Sequence, residues 1–443
     1  MTSSVAIVPK AVQLDASAHC QLACPLCPTA DGRTKPELGQ GYLKLADFQS
    51  LLDRNPALEH VELSNYGEMF LNPALPEMLA YAHQRNVTVS GGNGVNLNHA
   101  KEAALEAVVK YKVRTLTCSL DGATGETYAK YRVNGDLKRV LKNIDRIREY
   151  RRQYRSAFPI LNWQFVVFGH NEHELAEARR MAAERGMGFL PRLSWDNGFS
   201  PVQEPDLVRI ETGLAGATRD EYRKNKGSGY TRDICYQLWH QPVLNWDGRM
   251  MGCCVNYWKA FNTNAFTDGL DAATNHPDLD YARSMLMGQA PPRESIPCTT
   301  CHHFEEIRED GNWITEEELA GASSPSPIAA LLLDPAGEAR FAQVSIVKGW
   351  DAEPVRQVAG RLFRFGVDTA VYFTPSLDGR YTAFVRMLGE RNAMQSAEFR
   401  FAVTPRPLCQ EFRFSTPDFA AAQRASHAVR TAHPTPAEPS WIL

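Results

Sequence analysis

The segment Leu14-Asp15-Ala16-Ser17-Ala18-His19-Cys20-Gln21-Leu22-Ala23-Cys24-Pro25-Leu26-Cys27-Pro28-Thr29-Ala30 decides how the rest of the chain is read. Three cysteines stand on one short loop, with three residues between the first pair and two between the second. Thiolates so crowded suit a cubane iron–sulfur cluster, and three ligands for four irons leave one iron open. An open position is what a catalytic metal site keeps, whereas a structural site closes every position. Cys20, Cys24 and Cys27 are therefore candidate ligands of a redox 4Fe-4S cluster and, through it, candidate catalytic residues. A zinc site completed by a distant Cys or His is the alternative that spacing alone leaves open.

The loop follows directly on a β-rich run, Ala11–Ser17. Further strand candidates are His60–Ser64, Thr88–Gly91, Leu116–Leu120, Asn162–Val167 and Gly188–Leu193. Between them apolar residues recur at helical spacing: Phe48, Leu51 and Leu52; Leu75, Met78, Leu79 and Ala82; Leu105, Val108 and Val109; Val140, Ile144 and Ile147. Leu175, Ala178 and Ala182 continue the series, with Gly186 placed just past a helix end. Six alternations of strand and helix predict an α/β fold with parallel strands; a partial (β/α)6 TIM-like barrel over residues 1–193 fits, as do a complete barrel and an open doubly wound sheet. In such a barrel chemistry gathers at the C-terminal ends of the strands.

Beyond Ser194 the alternation stops. Residues 194–321 are rich in Gly, Asn and Pro, hold five of the ten cysteines and show no long amphipathic helix. Such a segment reads as a small cysteine-rich domain stapled by metal. Here Asp247-Gly248 reads as a hairpin turn feeding a strand that carries Cys253. After a linker at Ala322–Ile328, residues 322–443 read as an α+β accessory domain. Its strand-like runs are Ile328–Leu333, Ala342–Val347, Thr369–Phe373, Tyr381–Met387, Glu398–Val403 and Glu411–Phe414. Its helices are expected at Glu353–Phe365 and Asp418–Thr431.

A net charge of −3 gives no drive toward nucleic acid or anionic membrane. No apolar run nears the ~20 residues of a membrane span, and the N-terminus lacks a secretory pattern. The expectation is a cytoplasmic protein with neither nucleic-acid nor membrane partners, in which clustered cysteines serve as ligands more readily than as disulfides. Cys118 and Cys409 stand apart and read as inert buried thiols.

Together these features resemble the radical S-adenosylmethionine superfamily over roughly residues 11–305. The Cys20–Cys27 loop is similar to that family's CxxxCxxC cluster loop, in which S-adenosylmethionine chelates the open iron. Asn65–Pro73 looks like its "GE" motif, which implies that Gly67 and Glu68 receive the ammonium of S-adenosylmethionine. Val89–Gly94 stands at the family's third-strand turn, implying cofactor contacts from Ser90 and Asn93. Leu116–Gly135 is similar to its fourth-strand segment, implying Ser119 and Asp121 near the ribose and Arg132 near the methionine carboxylate. Phe165–Asn171 matches its fifth strand, with the Val167 backbone along the adenine. Two positions depart from the pattern: Gln21 replaces a common Asn, and Leu26 replaces an aromatic residue.

Cys235, then Gly248 and Cys253 with four residues between them, then Cys298 and Cys301, resemble the SPASM/twitch extension of the same superfamily. The resemblance implies a second, auxiliary 4Fe-4S cluster held by four cysteines; a structural zinc ribbon is the alternative. Successive residues of a strand face opposite sides, so only one of Cys253 and Cys254 can point at the cluster, and the Gly-x4-Cys spacing of the resemblance selects Cys253. The implied function is reductive cleavage of S-adenosylmethionine and hydrogen abstraction from a small polar metabolite such as a sugar or aminocyclitol. Its external electron donor would be a flavodoxin or ferredoxin. A peptide or protein maturase and a zinc-stapled binding protein without catalysis are the competing readings.

Overall fold

The computed structural model describes residues 6–154, 156 and 158–323, with side chains as far as 319, and four later strands as backbone. Six strands fall where the alternation places them: β1 (Ala11–Leu14), β2 (His60–Glu62), β3 (Thr88–Val95), β4 (Thr115–Ser119), β5 (Ile160–Val167) and β6 (Gly188–Leu193). Helices Leu45–Arg54, Leu75–Gln84, Glu102–Lys110, Leu137–Gln153 and Leu175–Glu184 connect or follow them. Every apolar residue of the helical series, from Phe48 to Ala182, is buried. Each large one is worth roughly 1.5–3 kcal/mol when removed from water. Gly186 closes the last of these helices at φ 63°, with its N–H on Ala183 O and that of Met187 on Ala182 O.

The chain divides into two compact units that cut across its linear order. The first combines residues 1–117, 130–140 and 222–324; the second combines 118–129, 141–221 and 325–443. In the first, β1 pairs in parallel with β2, and β2 with β3. On its other side β1 pairs, also in parallel, with β7 (Val243–Leu244), which turns through Asp247-Gly248 into antiparallel β8 (Met250–Gly252). The start of β4 joins β3 through Arg114 N–H on Val89 O at 2.7 Å. The cysteine-rich segment thus extends the sheet that carries the first cysteine loop.

In the second unit Leu120, just past β4, donates its N–H to Gln164 of β5 at 2.9 Å, and β5 pairs in parallel with β6 over six residues. The fold is mixed α/β with parallel strands, as in a partial TIM-like barrel. Strands Gln343–Ile346, Asp368–Pro375, Tyr381–Leu388 and Glu411–Thr416 form a separate antiparallel sheet. They coincide with four of the six strand-like runs of that segment; the runs at 328–333 and 398–403 and both expected helices lie outside the described residues.

Three local expectations change. β3 continues through Gly91 and Gly92 to Val95, although glycine weakens strands. The 194–321 segment builds Pro205–Thr212, Arg219–Lys226, Pro277–Leu286 and His302–Glu309; Pro277–Leu286 buries Leu279, Ala282, Met285 and Leu286. β8 ends at Gly252, whose φ of 79° breaks the extended backbone, so Cys253 lies in a bend instead of a strand. Among the described residues no helix is long and apolar enough to cross a membrane.

Candidate active site and cysteine clusters

The parallel register stacks polar side chains at the strand ends of the first unit. Gln13 lies opposite Glu62, and Glu62 opposite Ser90. Such alternation directs Gln13 of β1 and Asp15 just past it to one face and Val12 and Leu14 to the other. Glu62 is buried and saturated. Its carboxylate accepts from the hydroxyls of Ser64 and Ser90 and from Gly92 N–H at 2.8 Å. Asn93 donates its N–H to Ser64 Oγ at 3.0 Å and its amide to Asn65 at 2.9 Å. Ser90 and Asn93, expected at the cofactor, thus tie the ends of β2 and β3 together.

The first cysteine loop is seated on the Gly67-Glu68 turn. Glu68 N–H donates to His19 O at 2.8 Å. A Cβ on Gly67 would meet Ser17 O at 1.7 Å, so only glycine allows the two backbones to approach this closely. Glu68 is buried and accepts Phe70 N–H at 3.1 Å and Asn96 N–H at 2.7 Å. Burial pushes its carboxyl up to about 7, against the pull of those two N–H groups and of Arg132. Arg132 reaches the same loop, its Nη1 3.7 Å from Cys24 Sγ. Ala23 N–H is held by Val133 O at 3.0 Å. Cys20, Cys24, Cys27, Gly67, Glu68 and Arg132 therefore converge.

Sequence reasoning missed Asn96. Its amide nitrogen lies 3.6 Å from Cys20 Sγ, while its oxygen accepts Gln21 Nε2 at 2.6 Å. The departure noted at Gln21 is thereby absorbed: the longer amide reaches across to β3. An Asn just past a Gly-rich strand was the only available signal.

In the second unit Ser119 is buried at the end of β4. Asp121 is fully buried and accepts Val166 N–H at 2.7 Å. Asn171 donates to Asp121 O at 3.1 Å and Val166 O at 2.9 Å. Asp121 here clamps β4 to β5. Val167 ends β5, buried and paired with Leu193.

Cys235, Cys253, Cys298 and Cys301 gather within the first unit. Burial raises all four thiols, Cys253 to about 12, and Cys235 is raised further by the other three. Backbone N–H groups of Phe304 and His303, at the start of the helix after Cys301, partly offset this at Cys301. Cys20 is likewise pushed to about 12, by burial, by Glu68 and by its two neighbouring cysteines. Thiols so placed stay protonated and inert unless a metal supplies positive charge, and they then become ligands. Both sets fit iron–sulfur clusters by donor chemistry. Among the described residues no three His, Cys, Asp or Glu side chains converge on one point as the ligands of a single ion do.

Cys254 is only half-buried and packs on Leu38, Val243 and Met251. Its N–H donates to Gln237 Oε1 at 2.8 Å; Gln237 Nε2 donates to Gln13 Oε1 at 2.9 Å, and Gln13 Nε2 to Ser64 O at 2.9 Å. This amide relay joins the residue next to Cys253 to the strand ends of the first unit. Tyr66 adds a second tie, its hydroxyl donating to Val255 O at 2.8 Å while its carbonyl accepts from Thr29 Oγ1 at 2.9 Å.

No family model matches the sequence, and no curated protein matches it. Among solved structures the chain is similar to several at low identity. SuiB of Streptococcus suis bound to S-adenosylmethionine is 13% identical, with 67% of this chain and 72% of that one covered and a TM-score of 0.49. BtrN in complex with AdoMet and 2-DOIA is 11% identical over 63% and 88%, TM-score 0.37. Methylornithine synthase, PylB, is 14% identical over 65% and 84%, TM-score 0.37.

Proposed function

We propose that the protein is a radical S-adenosylmethionine enzyme acting on a small polar metabolite, with a second iron–sulfur cluster on its cysteine-rich segment. The observation that carries this is the convergence on one loop of Cys20, Cys24 and Cys27 with Glu68, Asn96 and Arg132. Cys20, Cys24 and Cys27 would hold the catalytic cluster; Cys235, Cys253, Cys298 and Cys301 would close the auxiliary one. What the bound, reduced cluster and S-adenosylmethionine supply is a 5′-deoxyadenosyl radical that abstracts a substrate hydrogen. Glu68 is a carboxylate available to an ammonium at the loop, and Arg132 a cation available to a carboxylate. Gly67 seats the loop against the strand ends. Asp15, Glu62, Ser64 and Ser90 give the first unit's strand ends a polar lining, which favours a polar substrate. A flavodoxin or ferredoxin would deliver the electron.

The test is anaerobic reconstitution with iron and sulfide, metal counting, and incubation with S-adenosylmethionine and dithionite. About eight irons per chain, a brown colour and 5′-deoxyadenosine are expected. The Cys20/Cys24/Cys27→Ala triple variant should stay folded and make no 5′-deoxyadenosine. A colourless protein that binds zinc and cleaves nothing would overturn the proposal.

A further inference from the structure

Asp15 stands at the first position after β1, with its N–H on Leu244 O at 3.0 Å. The parallel register pairs Gln13 with Val243 and Leu14 with Leu244, and so carries Asp15 opposite Asn245, both side chains on one face of the sheet. Asp15 is 2% exposed and Asn245 fully buried. Each keeps a side-chain oxygen, Oδ1, without a hydrogen-bond partner. The orientation of Asn245 is fixed, because its amide nitrogen donates to Leu38 O at 3.0 Å and Asp247 Oδ1 at 2.8 Å. Two unmet acceptors therefore lie at the adjoining ends of paired strands, and leaving such groups buried and unpaired costs roughly 1–3 kcal/mol each.

The charge of the corner points to what is missing. The charged groups acting on Asp15 are Asp247 and Glu62, both acids, and only the Asn65 amide favours its ionised form. Glu62 is already saturated by Ser64, Ser90 and Gly92. Asp247 is held by Arg249 at 2.9 Å. What remains is an excess of acceptors among acids: burial keeps a proton on Asp15 up to about 8, and a cation beside it would let it ionise. Water could fill the acceptors but would do nothing to offset the neighbouring acids. A protonated amine meets both needs, giving N–H groups to two oxygens and a positive charge to the carboxylate. The corner also neighbours the second cysteine set, since Tyr66 feels Asp15 as well as Cys253 and Cys254.

We propose that Asp15 and Asn245 form an amine-binding corner of the substrate site, so that the polar metabolite enters with a protonated amino group held there. This rests on the functional reading above for the identity of the site, but its test does not. Crystals of the anaerobically reconstituted holoprotein are soaked in rubidium chloride, with rubidium standing in for ammonium. An anomalous peak touching Asp15 Oδ1 and Asn245 Oδ1 is expected. Methylammonium added to the soak should abolish the peak, whereas methanol at equal concentration should not. Asp15→Asn, checked for fold by iron content and circular dichroism, should reduce rubidium occupancy at least tenfold. No peak, a water in its place, or rubidium that methylammonium fails to displace would overturn the proposal, whether or not the variant folds. Iron counts and 5′-deoxyadenosine yield from the same preparation keep the two readings apart. A cation at Asp15 in a protein that cleaves no S-adenosylmethionine would leave the corner standing and remove the function.

Discussion

Asn96 and Glu68 form a two-part support for the first cysteine loop: the Asn96 N–H is fixed on Glu68 Oε2 at 2.7 Å, and the Asn96 amide is thereby aimed at Cys20 Sγ. Hydrogen bonds to cluster sulfurs stabilise the reduced, more negative state and raise the reduction potential. Asn96→Leu should lower the potential of the first cluster, on the order of tens of millivolts, with iron content retained. Redox titration followed by electron paramagnetic resonance measures it; an unchanged potential would assign Asn96 a purely structural part.

Glu68→Gln removes the charge while keeping the side chain's size. A charge-assisted contact is worth roughly 1.5–3 kcal/mol, so affinity for S-adenosylmethionine should fall about tenfold to a hundredfold while iron stays constant. Anaerobic titration calorimetry reads the loss, and equal affinity would place the ammonium elsewhere.

Gly67→Ala drives a methyl group into Ser17 O. Backbone cannot yield as a flexible side chain does, so a loss of about 3 kcal/mol is expected, with the first cluster assembling poorly. Gly125→Ala is the control. Gly125 opens the helix Gly125–Tyr131, and an added Cβ there meets nothing within 4 Å. That change should be neutral or stabilise by roughly 0.5–1 kcal/mol. Urea denaturation of both variants separates a local clash from a general intolerance.

Cys253→Ala should lower iron from about eight toward about four per chain, or destabilise the first unit outright. Cys254→Ala should keep full iron, because Cys254 packs on an apolar cluster and contributes its N–H, not its thiol, to Gln237. Iron lost with Cys254 and kept without Cys253 would reverse the assignment.

Asp15 makes stability fall with rising pH. Burial pushes its carboxyl from the ordinary 3.8 to about 8. Between those values the folded protein keeps a proton that the unfolded chain has released. The stabilisation is fully present below about 3.8 and lost as pH rises through about 8, at up to about 1.4 kcal/mol per pH unit. Denaturation of wild type and Asp15→Asn, in buffer free of amines, should show wild type losing stability relative to the variant as pH rises from about 4 to about 8. A pH-independent difference would mean that Asp15 is ionised throughout.

The parallel strands were legible because their signals are local. A 3.6-residue rhythm such as Leu75, Met78, Leu79 and Ala82 needs only its own helix to be read. The cysteine loop and the Gly67-Glu68 turn were legible by motif. Asn96 was not, since its meaning depends on β3 running on through three glycines to Val95. Asp15, quoted in the segment that decided the fold, drew no notice because a lone acid beside a strand is ordinary until its burial is known. The pairing of β1 with Val243–Leu244 escaped for a different reason. Two apolar residues carry no strand signal, and their partner lies 230 positions away. Strand alternation was the reason for expecting only one of Cys253 and Cys254 as a ligand, with spacing selecting Cys253, yet the chain reaches that position through the left-handed Gly252.

That pairing also sets an order of events during synthesis. The cysteine loop and β1 to β3 emerge from the ribosome early, but β1 has one bare edge until Val243 and Leu244 arrive. A bare parallel edge is a template for other chains, and closing it late is slow because so much chain must be gathered first. At roughly 5–20 residues per second, the interval lasts about ten seconds or more, within reach of a chaperone that shields strand edges. An N-terminal fragment ending before Val243 keeps that edge permanently and should aggregate, however complete its own helices are.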